Sequence, residues 1–168
     1  LEVFLNAQEL KDIAGKYLPI FSGPELSPDW KSFFNFKTTI QLEDYLTILL
    51  QISLDLTDDG NIKSGNEERV QKVYSFLLDN CVNWSDSEIE KVKFWSANNS
   101  LLNSKDTFTK CTSLHYFIDG DENVFQEQYM FLRLNAANKT HSSLKRLLGF
   151  LQVNILSQSQ FKLVCDSK

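Results

Sequence analysis

The sequence predicts an α+β fold in which a helix-rich N-terminal part precedes a smaller part that contains strands and one or more further helices. Before Asn98, apolar residues recur with the period of amphipathic helices, and several of these segments begin at capping residues. After Asn98, short aromatic and apolar runs that are typical of strands replace this period. We therefore expect a helical region over 1–98 and a mixed region over 99–168, packed together as one module.

The first two helices are predicted from their start signals. Asn6 and Glu9 have the spacing of a capping box, and the helix that they begin should end or kink at Pro19. A short second helix should follow Ser27, with Pro28 at its first position, where the missing N–H costs nothing. The apolar face of this short helix consists of Trp30, Phe33 and Phe34.

The next two helices supply the predicted centre of the core. A helix over about 41–56 is apolar on nearly all faces, which is typical of a buried helix. A helix over about 67–80 follows, with apolar residues at close to the helical period. We expect Leu49 in the first and Leu77 in the second to be buried.

Two further helices are predicted from capping residues. One begins after Ser85, with Glu88 as its capping-box partner, and ends near Trp95. The other begins after Thr140. The apolar face of this last helix consists of Leu144, Leu147, Leu148 and Leu151.

The strands are predicted from aromatic and apolar runs in the second half of the chain. Residues 113–119 and 129–134 are the clearest runs, and 161–165 is a third candidate. Residues 101–102, followed by the polar segment 104–108, predict a short strand that enters a tight turn.

Composition and charge bear on the class of protein. The net charge is −5 and the isoelectric point is about 5.0, which argues against a general nucleic-acid surface. No run of eighteen apolar residues is present, so we expect no transmembrane helix. Because the chain begins at Leu1 and Met130 is its only methionine, we expect a piece of a longer polypeptide, with a processed N-terminus as the alternative. One local basic cluster, expected to be a solvated helix face, consists of Lys139, His141, Lys145 and Arg146.

The cysteines favour a reducing environment. Cys81, Cys111 and Cys165 are far apart and odd in number, which indicates buried thiols and not a disulfide framework. The expected location is therefore cytoplasmic or otherwise intracellular.

Residues 55–66 resemble the start of a calcium-binding loop. Oxygen-bearing residues fall at positions 1, 3 and 5, a glycine at position 6 and an apolar residue at position 8, as Asp55, Thr57, Asp59, Gly60 and Ile62. Position 12, however, is Asn66 and not the bidentate glutamate that the ion requires, because Glu67 comes one residue late. Lys63 at position 9 adds a positive charge. We expect a polar helix–helix connection that does not bind calcium at physiological levels.

The remaining polar residues do not assemble into a recognisable active site. A second acidic turn over 119–123 is expected to be an exposed loop between strands. His115 and His141 are too few for a histidine-rich zinc site. A nucleophile pair from Cys111 and His115 would place the two residues about 13 Å apart on an extended strand, and only a tight turn would bring them together. The sequence therefore predicts no catalytic, cofactor-binding or metal-binding residues.

Two stretches resemble a known family. DWKSFFNFK (29–37) followed by TTIQLEDYL (38–46) resembles the short helix, hydrophobic turn and helix of very large sacsin-like and NO VEIN-like proteins. LLNSKDTFTK (101–110), leading into SLHYFID (113–119), is similar to their recurring hairpin, although that turn usually carries a glycine where Thr107 stands. With LKRLLG (144–149), the resemblance covers the chain from about Trp30 to Gly149.

The resemblance implies a scaffold or client-contact region of a chaperone-like multidomain protein. Members of this family carry a gyrase/histidine-kinase-type ATPase domain elsewhere in the chain, and no segment here matches its nucleotide-binding motifs. The resemblance therefore assigns no catalytic residue to this chain.

These observations lead to one expected function and two alternatives. The first is a non-enzymatic interaction or scaffold module whose partner is a protein or a neighbouring domain of the parent chain, with no nucleic acid, membrane or cofactor involved. We expect its contact surface first at the strand over 113–119, because an unpaired strand edge is a template for hydrogen bonds. The alternatives are a metal-regulated or hydrolytic domain that uses the acidic loops, and a nucleic-acid-binding module that uses the helix over 139–146.

Overall fold

The structure is a computed structural model that describes residues 3–4, 8–34, 36–118, 127–136 and 140–157. In these segments the helices are α1 (Gln8–Ala14), α2 (Pro28–Phe33), α3 (Leu42–Leu54), α4 (Asn66–Asn80), α5 (Asp86–Asn98) and α6 (His141–Phe150). The strands are β1 (Ser100–Leu102), β2 (Phe108–Lys110), β3 (His115–Phe117) and β4 (Asn154–Leu156), and a 3-10 helix covers Cys111–Ser113. Helices precede two small two-stranded sheets, so the predicted α+β class is confirmed.

The first helix is shorter than the sequence predicts. It ends at Ala14 because Gly15 adopts a left-handed conformation with φ of 53°, well before Pro19. The predicted capping residue Asn6 lies outside the described residues. The apolar stripe is nevertheless buried through Leu10, Ala14 and Leu18.

Helices α3 and α4 pack against each other at the centre of the core. Leu49 and Leu77 are fully buried, as predicted. The ring of Tyr45 stacks on that of Phe76 with centroids 3.7 Å apart. The expectation that the central helix is buried all round is wrong at its end, where Leu54 in the last turn is 72% exposed.

The capping residues of α5 and α6 act as predicted. The hydroxyl of Ser85 accepts a hydrogen bond from the Glu88 N–H, and the Glu88 carboxylate accepts one from the Ser85 N–H. α5 does not end near Trp95 but continues to Asn98. Thr140 caps α6 through its side chain, which accepts a hydrogen bond from the Ser143 N–H.

The predicted tight turn joins β1 and β2 into an antiparallel hairpin. Asn103 is fully buried in this turn, and its amide nitrogen donates hydrogen bonds to the hydroxyls of Thr107 (2.7 Å) and Thr109 (2.8 Å). Its amide oxygen accepts a hydrogen bond from the Lys105 N–H at 2.8 Å. The left-handed residue of the turn is Asp106, with φ of 61°, and not Thr107. An aspartate tolerates this conformation better than most residues do.

The second sheet pairs β3 with β4 in parallel. β3 lies inside the predicted strand over 113–119, but the 3-10 helix takes up the beginning of that run. The sequence did not predict β4, whereas the third predicted strand over 161–165 lies outside the described residues.

The predicted strand over 129–134 is not a regular strand. It forms only isolated bridges, in which Phe131 pairs with His115 and Leu132 pairs with Asn103. Helix α4 holds the segment that follows, because the Gln71 side chain donates to the Arg133 carbonyl (2.7 Å) and accepts from the Asn135 N–H (3.1 Å).

One hydrophobic core joins the helices to the hairpin. Its buried residues extend from Phe4 to Val153 and include side chains from α3, α4, β1 and α6. A buried hydrogen bond of 3.0 Å from the Leu102 N–H to the Tyr74 hydroxyl oxygen ties β1 to α4. No helix among the described residues is long and apolar enough to cross a membrane.

Candidate functional site

The short helix α2 presents its apolar side chains to solvent. None of its residues is buried, and Trp30, Phe33 and Phe34 are 54%, 76% and 55% exposed. The predicted helix therefore forms, with Pro28 in its first turn, but its apolar face does not join the core. We call Trp30, Phe33 and Phe34 the α2 aromatic surface.

Ring contacts hold the α2 aromatic surface together. Trp30 stacks on Phe34 with centroids 5.6 Å apart, and Phe33 meets both rings edge-on at 5.9 and 5.2 Å. The run of rings continues through Phe36, 5.9 Å from Phe34, to Phe21, 5.3 Å further on. Offset and edge-to-face pairs at these distances are favourable, so the rings form one contiguous cluster.

The predicted strand over 113–119 contains two further aromatic residues, Tyr116 and Phe117. Phe117 is buried, and Tyr116 is partly buried and packs against the core. These residues therefore contribute to packing, whereas the α2 aromatic surface stays open.

In the calcium-like loop, a lysine of the loop itself pairs with the carboxylate at the first ligand position. The Asp55 carboxylate at position 1 forms ion pairs with Lys63 at position 9 and with Lys16, which follows α1, the latter at 2.6 Å. The Tyr17 hydroxyl donates a third hydrogen bond to it at 2.7 Å. Asn66 at position 12 donates its amide N–H to the Tyr17 oxygen at 2.6 Å. These contacts connect three segments of the chain and leave the first ligand position of the loop occupied by lysine ammonium groups.

The electrostatics of this loop follow from the ion pairs. Hydrogen bonds from Lys16 and Lys63 hold the pKa of Asp55 well below its usual range. Burial, and then the hydrogen bond to Asp55, raise the pKa of Tyr17 to about 12. That the loop does not bind calcium at physiological levels stays a prediction, which melting in millimolar calcium against a chelator would check. Among the described residues no group of three or more histidine, cysteine, aspartate or glutamate side chains is placed to hold a metal ion.

The two cysteines within the described residues are free, buried thiols. Burial raises the pKa of Cys111 to about 12, and burial also raises the pKa of Cys81. The Cys111 thiol donates a weak hydrogen bond to the Asn99 carbonyl at 3.4 Å. Thiols of this kind stay protonated near neutral pH, and the protonated form is a poor nucleophile and metal ligand. Cys165 lies outside the described residues.

His115 does not form a nucleophile pair with Cys111, although a 3-10 turn does lie between them. The imidazole packs against the Tyr129 ring at 4.7 Å, and its Nδ1 is buried without a hydrogen-bond partner among the described residues. Burial lowers the pKa of His115, so the neutral form is favoured.

The strand edge that we expected to be a contact surface is already used. At His115 the backbone N–H donates to the Met130 carbonyl and the carbonyl accepts from the Leu132 N–H, both at 2.8 Å. On its other side, β3 pairs with β4. The expectation of an unpaired edge over 113–119 is therefore wrong at His115, where the strand has a partner on both sides.

The two remaining polar candidates are placed as follows. In the basic cluster, His141, Lys145 and Arg146 are exposed on α6, and the Arg146 guanidinium lies 5.7 Å from the centre of the Phe150 ring. Lys139 and the acidic turn over 119–123 lie outside the described residues. The three exposed residues occupy the solvent side of α6, opposite the buried Leu144, Leu147 and Leu148.

The structure also contains a cleft that the sequence did not predict. It lies where the beginning of α3 meets the end of α4 and the beginning of α5, and its volume is about 500 Å³. Its walls come from residues that are far apart in sequence, so no local pattern marks it. Charged residues line it together with aromatic ones: Glu43, Glu88, Lys91, Phe76 and Trp84.

A scan against protein-family models gave no match, and searches of curated proteins and of solved structures gave none either.

Proposed function

We propose that this chain is a non-enzymatic interaction or scaffold module that presents surface to a protein partner or to a neighbouring domain of its parent. The observation that carries the proposal is the α2 aromatic surface. Trp30 and Phe33 of α2 and Phe34, the residue that follows it, lie side by side, and α2 buries none of its residues. A lone exposed apolar side chain needs no explanation, but a contiguous aromatic group is typical of an interaction site.

The size of the α2 aromatic surface supports this role. At the observed exposures, the three side chains present roughly 300–450 Å² of aromatic surface, if each exposes about 150–250 Å² when free. Exposed apolar patches of this size on monomers are often functional. Aromatic residues are enriched at protein interfaces, and tryptophan in particular contributes strongly to binding energy.

The local chemistry supports a role without catalysis. The buried thiols have raised pKa values, and lysine ammonium groups already pair with Asp55, the residue that a metal-regulated domain would need first. A nucleophile needs an adjacent base and a residue that orients the base. The contacts of Cys111 and His115 do not supply such a set.

The same proposal places the chain in a sacsin-like or NO VEIN-like parent with a chaperone-like role. The supporting observation is local. The residues that carry the resemblance form α2 followed by α3, and the β1–β2 hairpin followed by β3. The sequences that flank this chain test the assignment, because a gyrase/histidine-kinase-type ATPase domain in the same polypeptide would support it.

The experiment compares capture of binding partners by three forms of the chain. The first is the wild type, the second carries Trp30→Ala and Phe33→Ala, and the third carries Phe94→Ala as a matched control. Phe94 is 76% exposed, as Phe33 is, but lies on α5. Because α2 buries no side chain, the double variant should keep the melting temperature of the wild type.

We expect the wild type and the Phe94→Ala variant to capture the same protein, and the double variant to lose it. Binding of the purified partner must then show the same difference, at least about tenfold in Kd for a surface centred on these rings. Equal binding by the double variant would contradict the role of the α2 aromatic surface. Turnover of a nucleotide, peptide or nucleic-acid substrate that a single side-chain change abolishes would overturn the non-enzymatic proposal.

A further inference from the structure

The cleft between α3, α4 and α5 has fixed aromatic walls. Phe76 stacks on Tyr45 with a centroid distance of 3.7 Å, which holds its ring in place. Trp84 is 8% exposed and packs against Phe150, 5.9 Å between centroids. Both Phe76 and Trp84 line the cleft. A ligand group that enters therefore meets aromatic side chains whose positions do not depend on it.

The charges that line the cleft do not balance. Glu43 and Glu88 contribute two carboxylates, whereas Lys91 is the one basic residue among the lining side chains of the described chain. Lys91 forms an ion pair with Glu43. Among the described residues, Glu88 accepts hydrogen bonds from the Ser85 N–H at 2.8 Å and the Ser85 hydroxyl at 2.7 Å, and both donors are uncharged. Glu88 thus forms no ion pair among the described residues, although the Lys91 charge also contributes to lowering its pKa.

Both carboxylates stay ionised near neutral pH. The hydrogen bond from Lys91 lowers the pKa of Glu43, and the hydrogen bond from the Ser85 hydroxyl lowers the pKa of Glu88. The two carboxylates and the single lysine give the cleft a net negative charge. The lowered pKa values keep both carboxylates charged near neutral pH. A general acid would need a raised carboxyl pKa, so the pair is suited to binding a cation and not to proton transfer.

A side-chain amide adds a hydrogen-bond acceptor to the same cleft. The Asn80 amide nitrogen donates to the Phe76 carbonyl at 2.8 Å, which fixes the orientation of the amide. None of the described residues donates to its oxygen, which remains available as an acceptor. Aromatic walls, one carboxylate that forms no ion pair among the described residues and an amide oxygen together match a planar cation with several N–H donors.

We propose that this cleft binds the guanidinium group of an arginine side chain that a partner protein presents. A guanidinium stacks on aromatic rings and donates to a carboxylate in a fork, whereas an ammonium group is more strongly hydrated and has no planar face. Lys91 acts as an internal competitor, because its own cationic side chain already neutralises Glu43. None of the cleft residues belongs to the α2 aromatic surface, so this site and the proposed function can fail separately.

The test is a titration of the whole chain with acetyl-arginine-methylamide, followed by NMR shifts of the Trp84 indole and the Asn80 side-chain amide. The matched probe is acetyl-citrulline-methylamide, which has nearly the same shape but no charge. Glu88→Gln removes one charge and keeps a residue that a capping box accepts. Its control is Glu90→Gln, an equal change of charge on the same helix outside the cleft lining.

We expect millimolar binding of the arginine probe, with the citrulline probe at least about fivefold weaker, which is the scale of one partly exposed ion pair. Glu88→Gln should weaken binding by a similar factor, and Glu90→Gln should leave it unchanged. Lys91→Gln should tighten binding by about two- to fivefold by freeing Glu43, whereas the control Lys93→Gln should not.

Three results would overturn the proposal that the cleft binds a guanidinium group. The first is equal binding of the arginine and citrulline probes. The second is equal weakening by Glu88→Gln and Glu90→Gln, which would indicate a general charge effect. The third is the absence of shifts at Trp84 and Asn80 while shifts appear elsewhere. A variant with Trp30→Ala and Phe33→Ala should bind the arginine probe as the wild type does, which separates this site from the proposed function.

Discussion

Asp55 connects three segments of the chain through a single carboxylate. It lies directly after α3, accepts a hydrogen bond from the Tyr17 hydroxyl at 2.7 Å, and pairs with Lys16 at 2.6 Å and with Lys63. The charged form of the carboxylate is the one that these three donors favour. Folding is therefore coupled to the ionisation of this residue.

Replacing Asp55 by asparagine should lower stability at neutral pH and should reduce its dependence on acid pH. The pKa of Asp55 is depressed in the folded chain, so its contribution is present above the unfolded pKa of about 4 and is lost as the pH falls below it. Urea unfolding at several pH values between 3 and 7 measures how the free energy of unfolding depends on pH. Asp55→Asn should flatten the fall of the unfolding free energy toward pH 3, whereas the control Asp59→Asn, at an exposed position in the same loop, should keep the wild-type slope. An unchanged slope in Asp55→Asn would show that the ion pairs do not form in solution.

At the scale of elements, the β1–β2 hairpin depends on one buried amide. Asn103 is fully buried and bonds to two threonine hydroxyls through its nitrogen and to backbone N–H groups through its oxygen. The turn also places Asp106 in the left-handed region and pairs its carboxylate with Arg133. The hairpin is thus specified by polar contacts within the turn as well as by the strands.

Asn103→Ala should destabilise the chain by about 1–3 kcal/mol, because it removes a buried amide and leaves the half-buried hydroxyls of Thr107 and Thr109 without this partner. Denaturant unfolding monitored by circular dichroism measures the change. Asn61→Ala is a suitable control, since Asn61 is exposed in another turn and its hydrogen bonds there are made by its backbone. The control should change stability by less than about 0.5 kcal/mol. Equal stability of the two variants would contradict the role of the Asn103 amide.

The helices could be predicted from local sequence signals. The elements that the sequence did not predict correctly depend on contacts between residues that are far apart in the chain. The capping box at Ser85 and Glu88 and the helical period through Leu77 depend on neighbours in sequence, so they could be recognised without the fold. β4 and the segment over 129–134 are fixed by pairing with residues far along the chain, such as Asn154 with His115. Periodicity carries no information about such pairing.

The difference between local and non-local information also explains which candidate sites could be predicted from the sequence. An apolar face at helical spacing predicted α2, but whether that face is buried depends on what other segments cover it. The cleft unites α3, α4 and α5, which contribute one wall each, and none of these walls is distinctive by itself. For the calcium-like loop, by contrast, the departure at Asn66 and the charge of Lys63 were visible in the sequence, and the ion pair of Lys63 with Asp55 agrees with them.

At the scale of the molecule, helices and sheets share one core. Leu77 of α4 and Leu147 of α6 belong to the same buried cluster as Leu101 of β1. Leu77 is 0% exposed and Leu147 is 1% exposed. Since no boundary divides this cluster, we expect the chain to unfold as one cooperative unit, as small single domains usually do.

Leu77→Ala and Leu147→Ala test this expectation from the two halves of the chain. Each should lower the free energy of unfolding by about 2–5 kcal/mol, because truncation removes apolar contacts and leaves a cavity. Circular dichroism at 222 nm reports the helices, and tryptophan fluorescence reports the buried Trp84 and Trp95. In each variant the transitions that the two signals report should shift together to lower denaturant concentration. The surface control Phe94→Ala should change the free energy of unfolding by no more than about 0.5 kcal/mol. If Leu147→Ala instead produced a separate early transition and left the main one in place, α6 and the strands would form their own unit. The single core would then not describe the protein in solution.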